Sequence, residues 1–290
     1  AHADHMARHE WAYATPATAA LYRHRLGNQL RVREMPFGQP LELGGVRITT
    51  YSAGHCFGSA MLLADDGETR LLYTGDFKLT KSLTSEPAEF PRADILIMES
   101  TFGVPRYRMP PREQVIDELL STINRAFATG QTPTIHAYAL GKSQEVTAIL
   151  HRAGLPVLQH PKIAEVSRVY EEQGVQLGDW APYAGQVLDG HVVVTLPRSA
   201  KGFRLAGLEN ALSIAVTGWA VDPSTKYRQR VDVALPLSDH ADFDELIETA
   251  RRVEPREIYC THGPGEFVDH LRDAGFNAFP LVPERQGRLF

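Results

Sequence analysis

Two imidazoles and a carboxylate, His2, Asp4 and His5, stand together at the start of the sequence. Packing does not ask for three such groups on one short turn, whereas a divalent metal does. Neutral imidazole nitrogen and hard carboxylate oxygen are the ligand set that suits Zn²⁺. So close a spacing also lets one segment reach two metals a few ångströms apart. A lone histidine is usually a satisfied surface or core residue, so the reading depends on whether matching pieces recur downstream. They do, and they recur at the ends of expected strands.

Ala12–Leu26 is rich in alanine and reads as a helix stopped by Gly27 and Asn28. Arg31–Glu34 and Leu41–Tyr51 read as strands, the second folded at Gly44-Gly45 into a hairpin. Strands over Met61–Ala64 and Arg70–Thr74 follow His55 and lead to Gly75-Asp76-Phe77, and Asp94–Met98 ends on Glu99-Ser100-Thr101. Late in the chain, Val233–Leu237 leads into Ser238-Asp239-His240-Ala241-Asp242, and Glu257–Cys260 ends at Thr261-His262-Gly263. Polar groups gathered at strand ends are how layered α/β proteins build sites. Gly54, Gly58 and Gly75, beside His55 and Asp76, allow close backbone approach.

Between 104 and 212 strand and helix alternate, as in a small parallel sheet. A helix is expected over Arg112–Ala128, from the apolar spacing of Val115, Ile116, Leu119, Leu120 and Ile123. Gly141-Lys142-Ser143 opens another helix and is a candidate phosphate contact, although the upstream glycine of a full phosphate loop is absent. His136, His151, His160 and His191 fall in this region outside any motif and read as structural or surface groups.

With 290 residues the chain can bury a large core or two modest ones. No apolar run reaches the ~20 residues that span a bilayer. The net charge of −5 gives no global attraction to a polyanion, so any nucleic acid must be held by a local cleft and by metal charge. Two cysteines, Cys56 and Cys260, make no disulfide framework and read as reduced thiols in a cytoplasmic setting.

In this order the strings resemble the β-CASP branch of the metallo-β-lactamase superfamily. His2, Asp4 and His5 match the His-x-His-x-Asp-His signature, in which one more histidine would stand immediately before Ala1. The expectation is therefore that the natural N-terminus lies upstream. His55 in Ala-Gly-His-x-x-Gly-Ser-Ala, Asp76 in Tyr-Thr-Gly-Asp-Phe, Glu99 in Glu-Ser-Thr-Phe-Gly, His240 in Ser-Asp-His-Ala-Asp and His262 in Thr-His-Gly match the later motifs.

The resemblance implies an α/β fold, the metallo-β-lactamase αββα sandwich with an inserted α/β β-CASP domain. The lactamase part would be 1–103 with 213–290, and the insertion 104–212. It implies two Zn²⁺ per chain, held by His2, His55 and Asp76 on one side and by Asp4, His5, Asp76 and His262 on the other, Asp76 bridging. Asp4, His240 and Glu99 would be catalytic, His240 donating to the phosphate or leaving oxygen and Glu99 fixing its ring. Lys142, Ser143, Trp219 and Arg228 are the candidate substrate contacts.

Two metals stabilise both the attacking and the leaving side of an in-line phosphoryl displacement, and a nearby imidazole is a suitable proton donor. The expected activity is hydrolysis of nucleic acid. Thr-Gly-Trp-Ala at 217–220 and Pro-Leu-Ser-Asp-His-Ala-Asp look more like the bacterial exonucleases encoded beside ATP-dependent DNA ligases, which favours a DNA exonuclease in repair, with a DNA ligase as partner and no membrane. A histidine in the last motif is more usual in RNA-processing members, so an endo- or exoribonuclease stays open. A small-molecule metallo-hydrolase such as a thioesterase, or an inactive scaffold, would lack the insertion or the retained ligands.

Overall fold

The structure is a computed structural model that describes residues 9–27 and 31–281, and every count below refers to those residues. A short parallel pair opens it, β1 (Trp11–Ala14) with β2 (Arg31–Glu34), joined by α1 (Pro16–Leu26). The expected helix from Ala12 thus starts four residues later. Thr15 caps it, its side chain accepting from the Thr18 amide, and Pro16 takes the first turn. Proline is suited to that position and disfavours helix in the residue before it, so the preceding segment is extended.

A seven-stranded sheet follows in the order β15-β14-β7-β6-β5-β4-β3. Its members are β3 (Leu41–Leu43), β4 (Val46–Ser52), β5 (Ala60–Asp65), β6 (Arg70–Tyr73), β7 (Ile95–Glu99), β14 (Glu257–Thr261) and β15 (Ala278–Pro280). β3 to β6 run antiparallel, and β6, β7, β14 and β15 are parallel. The β3–β4 hairpin turns on Gly44 and Gly45, both at positive φ (58° and 85°), as a two-residue turn demands. Helices α6 (Phe243–Val253) and α7 (Glu266–Asp273) lay Leu246, Ala250, Val253, Phe267 and Leu271 on this sheet against Leu72, Leu96, Met98 and Ile258. Of the αββα sandwich of the metallo-β-lactamase fold, the described residues form this sheet and its helices.

The second sheet is wholly parallel, β10-β9-β11-β8-β12-β13. It holds β8 (Thr132–His136), β9 (Val157–Gln159), β10 (Trp180–Pro182), β11 (Val192–Thr195), β12 (Ala211–Val216) and β13 (Val233–Leu235). Helices α2 (Arg112–Ala128), α3 (Lys142–Arg152), α4 (Pro161–Glu172) and the short α5 (Thr225–Gln229) accompany it. A second core, including Leu119, Ile123, Ile135, Val146, Ile163, Val194 and Ile214, fills the space between them.

One boundary differs from expectation. The resemblance places the strand that begins near 213 in the lactamase part, yet β12 pairs with β8 over Ala211–Ala215, and β13 extends the same parallel sheet. Strand periodicity identifies a strand but carries no information about which sheet accepts its edge. The polar segment after β12, expected as loop, holds α5, which ends with Arg230 in the left-handed region.

Candidate metal and phosphodiester site

Four motif residues converge where the strand ends of the two sheets face each other. His55 leaves the loop after β4, Asp76 follows β6, Glu99 ends β7 and His240 precedes α6. One ligand atom each from His55, Asp76 and His240 lies within 4.8 Å of the others, and all three side chains are half-buried. His55 Nε2 is 4.0 Å from Asp76 Oδ2, and the two imidazole centroids are 4.7 Å apart. His55 and Asp76 offer the imidazole nitrogen and carboxylate oxygen that suit a divalent cation, Zn²⁺ above all, with the His240 ring beside them.

Each ring is held by its other nitrogen. His55 Nδ1 lies 3.0 Å from the carbonyl of Asp239, so the N–H sits there and Nε2 keeps its lone pair for the cluster. Burial, together with the nearby His240, lowers the His55 pKa, which favours the neutral ring that a metal requires. His240 Nδ1 meets both oxygens of Glu99 at 3.0 and 2.9 Å. Glu99 is buried (1 % exposed) and also accepts from the Phe77 amide at 2.8 Å and from Thr101 Oγ1 at 2.5 Å. Burial alone would lower the His240 pKa. The hydrogen bond and charge of Glu99, with Asp76 and Asp239, outweigh it and raise the value. The two neighbouring histidines are thus pushed in opposite directions, one toward the neutral form and one toward the protonated form.

Glycine makes the close approaches possible. A Cβ on Gly54 would stand 2.4 Å from the Lys78 carbonyl oxygen, and one on Gly263 would stand 1.9 Å from that of Ser100. Gly263 therefore lets the turn after β14 press on the turn after β7, where Ser100 donates to the Thr261 carbonyl through its amide (2.9 Å) and its hydroxyl (3.0 Å).

The remaining expected residues divide into three groups. His2, Asp4 and His5 lie outside the described residues. His262 sits on the exposed turn after β14 at φ 56° and is not part of the His55–Asp76–His240 cluster. Lys142 and Ser143, expected to meet substrate, are turned inward instead. Lys142 is 2 % exposed, 2.6 Å from Asp239 Oδ1 and 3.7 Å from Glu145 Oε2. Its contact with Asp239 is close but not well aligned as a hydrogen bond, and at that distance charge attraction holds without alignment. Ser143 donates through Oγ (2.7 Å) and N (3.1 Å) to the Tyr138 carbonyl. At that start of α3 the Lys142, Ser143 and Glu145 amides are taken by the Leu140, Tyr138 and Gly141 carbonyls.

Asp242, a second carboxylate of the His240 motif, is also structural. It caps α6 in a reciprocal capping box with Glu245 and accepts from the Met109 amide at 2.9 Å. Burial pushes the Cys56 and Cys260 thiols up to about 12, so neither is a ready thiolate ligand. Trp219 stands on the wall of the roughly 490 Å³ cavity that holds His55, Asp76 and His240. Arg228 does not reach that cavity and lines an adjoining one.

Tyr138 lines the same cavity with a 58 % exposed ring, and sequence reasoning missed it. The sequence reads as strand over Thr134–Ala139 and so hides Tyr138 within it, whereas β8 ends at His136. Lys78, Arg112 and Glu145 were missed too, because a buried charge cluster has no motif.

Residues 230–279 match the family described as Zn-dependent metallo-hydrolase RNA specificity domain. A protein of Opitutus terrae named probable DNA ligase is 38 % identical over 292 residues, covering 100 % of this chain and 29 % of that protein. Cleavage and polyadenylation specificity factor subunit 3 of Dictyostelium discoideum is 31 % identical over 310 residues, 87 % of this chain and 39 % of that protein. The chain belongs to the β-CASP metallo-β-lactamase family. The 5′ exonuclease Apollo of Gallus gallus is 28 % identical over 249 residues, 85 % of this chain and 52 % of that protein. The chain thus spans less than a third of the first of these relatives and about half of the last. Among the described residues, no helix is long and apolar enough to cross a membrane.

Proposed function

We propose that this β-CASP chain is a zinc-dependent phosphodiesterase that hydrolyses DNA from an end, in repair, beside a DNA ligase, in a cytoplasmic setting consistent with reduced cysteines. The observation that carries the proposal is the His55–Asp76–His240 cluster with Glu99 locked behind His240. On this reading the inserted unit runs over 104–235 and the substrate lies between the two sheets.

His55 and Asp76 would hold metal together with His2, Asp4, His5 and His262, enough donors for two Zn²⁺. Bound zinc supplies positive charge for the phosphoryl oxygens and lowers the pKa of a bound water. The chain's own residues do the rest. Asp239 orients His55 through its carbonyl. Glu99 orients His240 and favours its protonated form. His240 Nε2, left free by Glu99, donates to a phosphate oxygen or to the leaving oxygen. Asp4 would take the proton of the attacking water.

DNA is favoured by the match of the whole chain to a probable DNA ligase. The match to an RNA specificity domain favours RNA, the second reading. End-labelled single- and double-stranded DNA and RNA, followed in time with zinc-loaded protein, separate the two and report direction. Asp76→Ala should leave well under two zincs per chain and reduce bis(p-nitrophenyl) phosphate hydrolysis on the order of 10³-fold. An active Asp76→Ala enzyme with full zinc would overturn the proposal.

A further inference from the structure

A second cavity, about 300 Å³, opens beside the one that holds the His–Asp cluster, and the two share Tyr138 and Thr217 as walls. Three guanidinium groups line it, Arg198 from the turn after β11 and Arg228 and Arg230 from the end of α5. This concentration of cations stands out on a chain of net charge −5. Arg228 is committed to Asp222 at 3.1 Å and to Thr225 Oγ1 at 2.7 Å. Arg198 and Arg230 are exposed and neither guanidinium forms a hydrogen bond or ion pair with a described residue, Arg198 acting on Asp232 and His136 at longer range. Arg230 is held at φ 54°, a left-handed conformation that non-glycine residues rarely adopt and that recurs at binding sites.

The shared wall is built rather than loose. The Tyr138 carbonyl is pinned by both the amide and the hydroxyl of Ser143, yet its ring is 58 % exposed. Across the mouth, Trp219 is braced edge-on by Phe102 (4.7 Å) and Tyr107 (5.5 Å) and remains 39 % exposed. Tyr138 and Trp219 follow β8 and β12, which are neighbours in the parallel sheet. A rigid exposed ring between a hydrolytic centre and a cationic pocket suits a strand whose base faces are free to stack while its phosphates meet arginine.

We propose that the arginine cavity binds a backbone phosphodiester of a single strand whose scissile bond lies at the His55–Asp76–His240 cluster, with a base stacked on Tyr138 between the two. The proposal rests on the phosphodiesterase reading and names its substrate as single-stranded, held at a second point.

Binding of a fluorescein-labelled phosphorothioate oligothymidylate to zinc-loaded protein tests it without cleavage. Arg198→Gln and Arg230→Gln should each weaken binding, and each should reduce the slope of log K against log salt by about 0.7. Arg198→Lys and Arg230→Lys should restore most of that slope. Tyr138→Ala should weaken binding about tenfold or more with the salt slope unchanged. A matched duplex should compete less well than the single strand, and 5′-phosphorylated and 5′-hydroxyl strands should respond alike to the arginine changes.

Wild-type affinity and slope in both Gln variants would overturn the proposal. So would Lys variants as defective as the Gln variants, which would mean packing, or a defect seen only with phosphorylated ends, which would mean a terminal phosphate. Equal competition by duplex would also overturn it. Failure of wild-type zinc protein to cleave any strand would instead sink the phosphodiesterase reading, since strand binding is read separately.

Discussion

At the scale of single residues, the Glu99–His240 contact sets the chemistry. The Glu99 carboxylate is buried and accepts from three directions, so its charge is spent on His240 and on fixing the Phe77 and Thr101 turns. Because Glu99 raises the His240 pKa, Glu99→Gln must lower it. A protonated donor is lost as pH rises through its pKa, so the alkaline limb of the rate profile should move to lower pH. Activity near neutrality should drop about 10–100-fold, as expected when the group orienting a site histidine is removed. A kcat–pH profile on a diester substrate checks this, and an unmoved limb would detach Glu99 from the reaction. His240 and His262 should fail differently. His240→Ala should keep its zinc and lose rate by about 10²–10⁴-fold, whereas His262→Ala should lose zinc and recover partly in excess metal. Zinc analysis beside rate measurement on both variants decides it, and the reverse pattern would exchange their roles.

At the scale of elements, the first turn of α3 is joined to the other sheet by buried charge. Glu145 meets Arg112 at 2.7 Å, Lys78 at 3.5 Å and Lys142 at 3.7 Å, and Lys142 continues to Asp239 at 2.6 Å. The Asp239 carbonyl holds His55, so this cluster connects the placing of the inserted unit to the site. Burial would raise the Glu145 pKa, but the three cations outweigh it and hold the carboxyl well below its usual range. A depressed folded pKa contributes stability that is complete above the ordinary value of 4.5 and is lost as pH falls through about 2. Wild-type melting temperature should therefore decline across that window. Glu145→Gln leaves two buried lysines and the half-buried Arg112 short of an anion and should cost about 3–5 kcal/mol at neutral pH. Its melting temperature should vary less across the acid window than that of wild type. Parallel acid declines in both proteins would assign the acid sensitivity elsewhere.

At the scale of the whole molecule, the proposed metals would tie the loops after β4 and β6 to the turn after β14, linking parts far apart in sequence. Zinc that binds the folded chain and not the unfolded one stabilises it by about 2.7 kcal/mol at a hundredfold excess over Kd. Chelation should therefore lower the melting temperature of the wild type and scarcely move that of Asp76→Ala, as differential scanning fluorimetry with and without chelator would show. Equal shifts would place the metal elsewhere. Much of this architecture is legible in the sequence. The β3–β4 hairpin follows from Gly44-Gly45, α2 from its apolar spacing, and the stations at His55, Asp76, Glu99 and His240 from strands that end in polar residues, because these signals are local. Sheet membership is not local: β7 and β14 pair across the whole inserted unit, and β12 joins the parallel sheet although nothing within 211–216 says so. The inward turn of Lys142 and the exposure of Tyr138 are likewise decided by tertiary structure. Residue type and spacing name the groups able to bind a metal or a phosphate, but burial and the nearest opposite charge determine which of them is free to do so, and both depend on which segments the fold brings together.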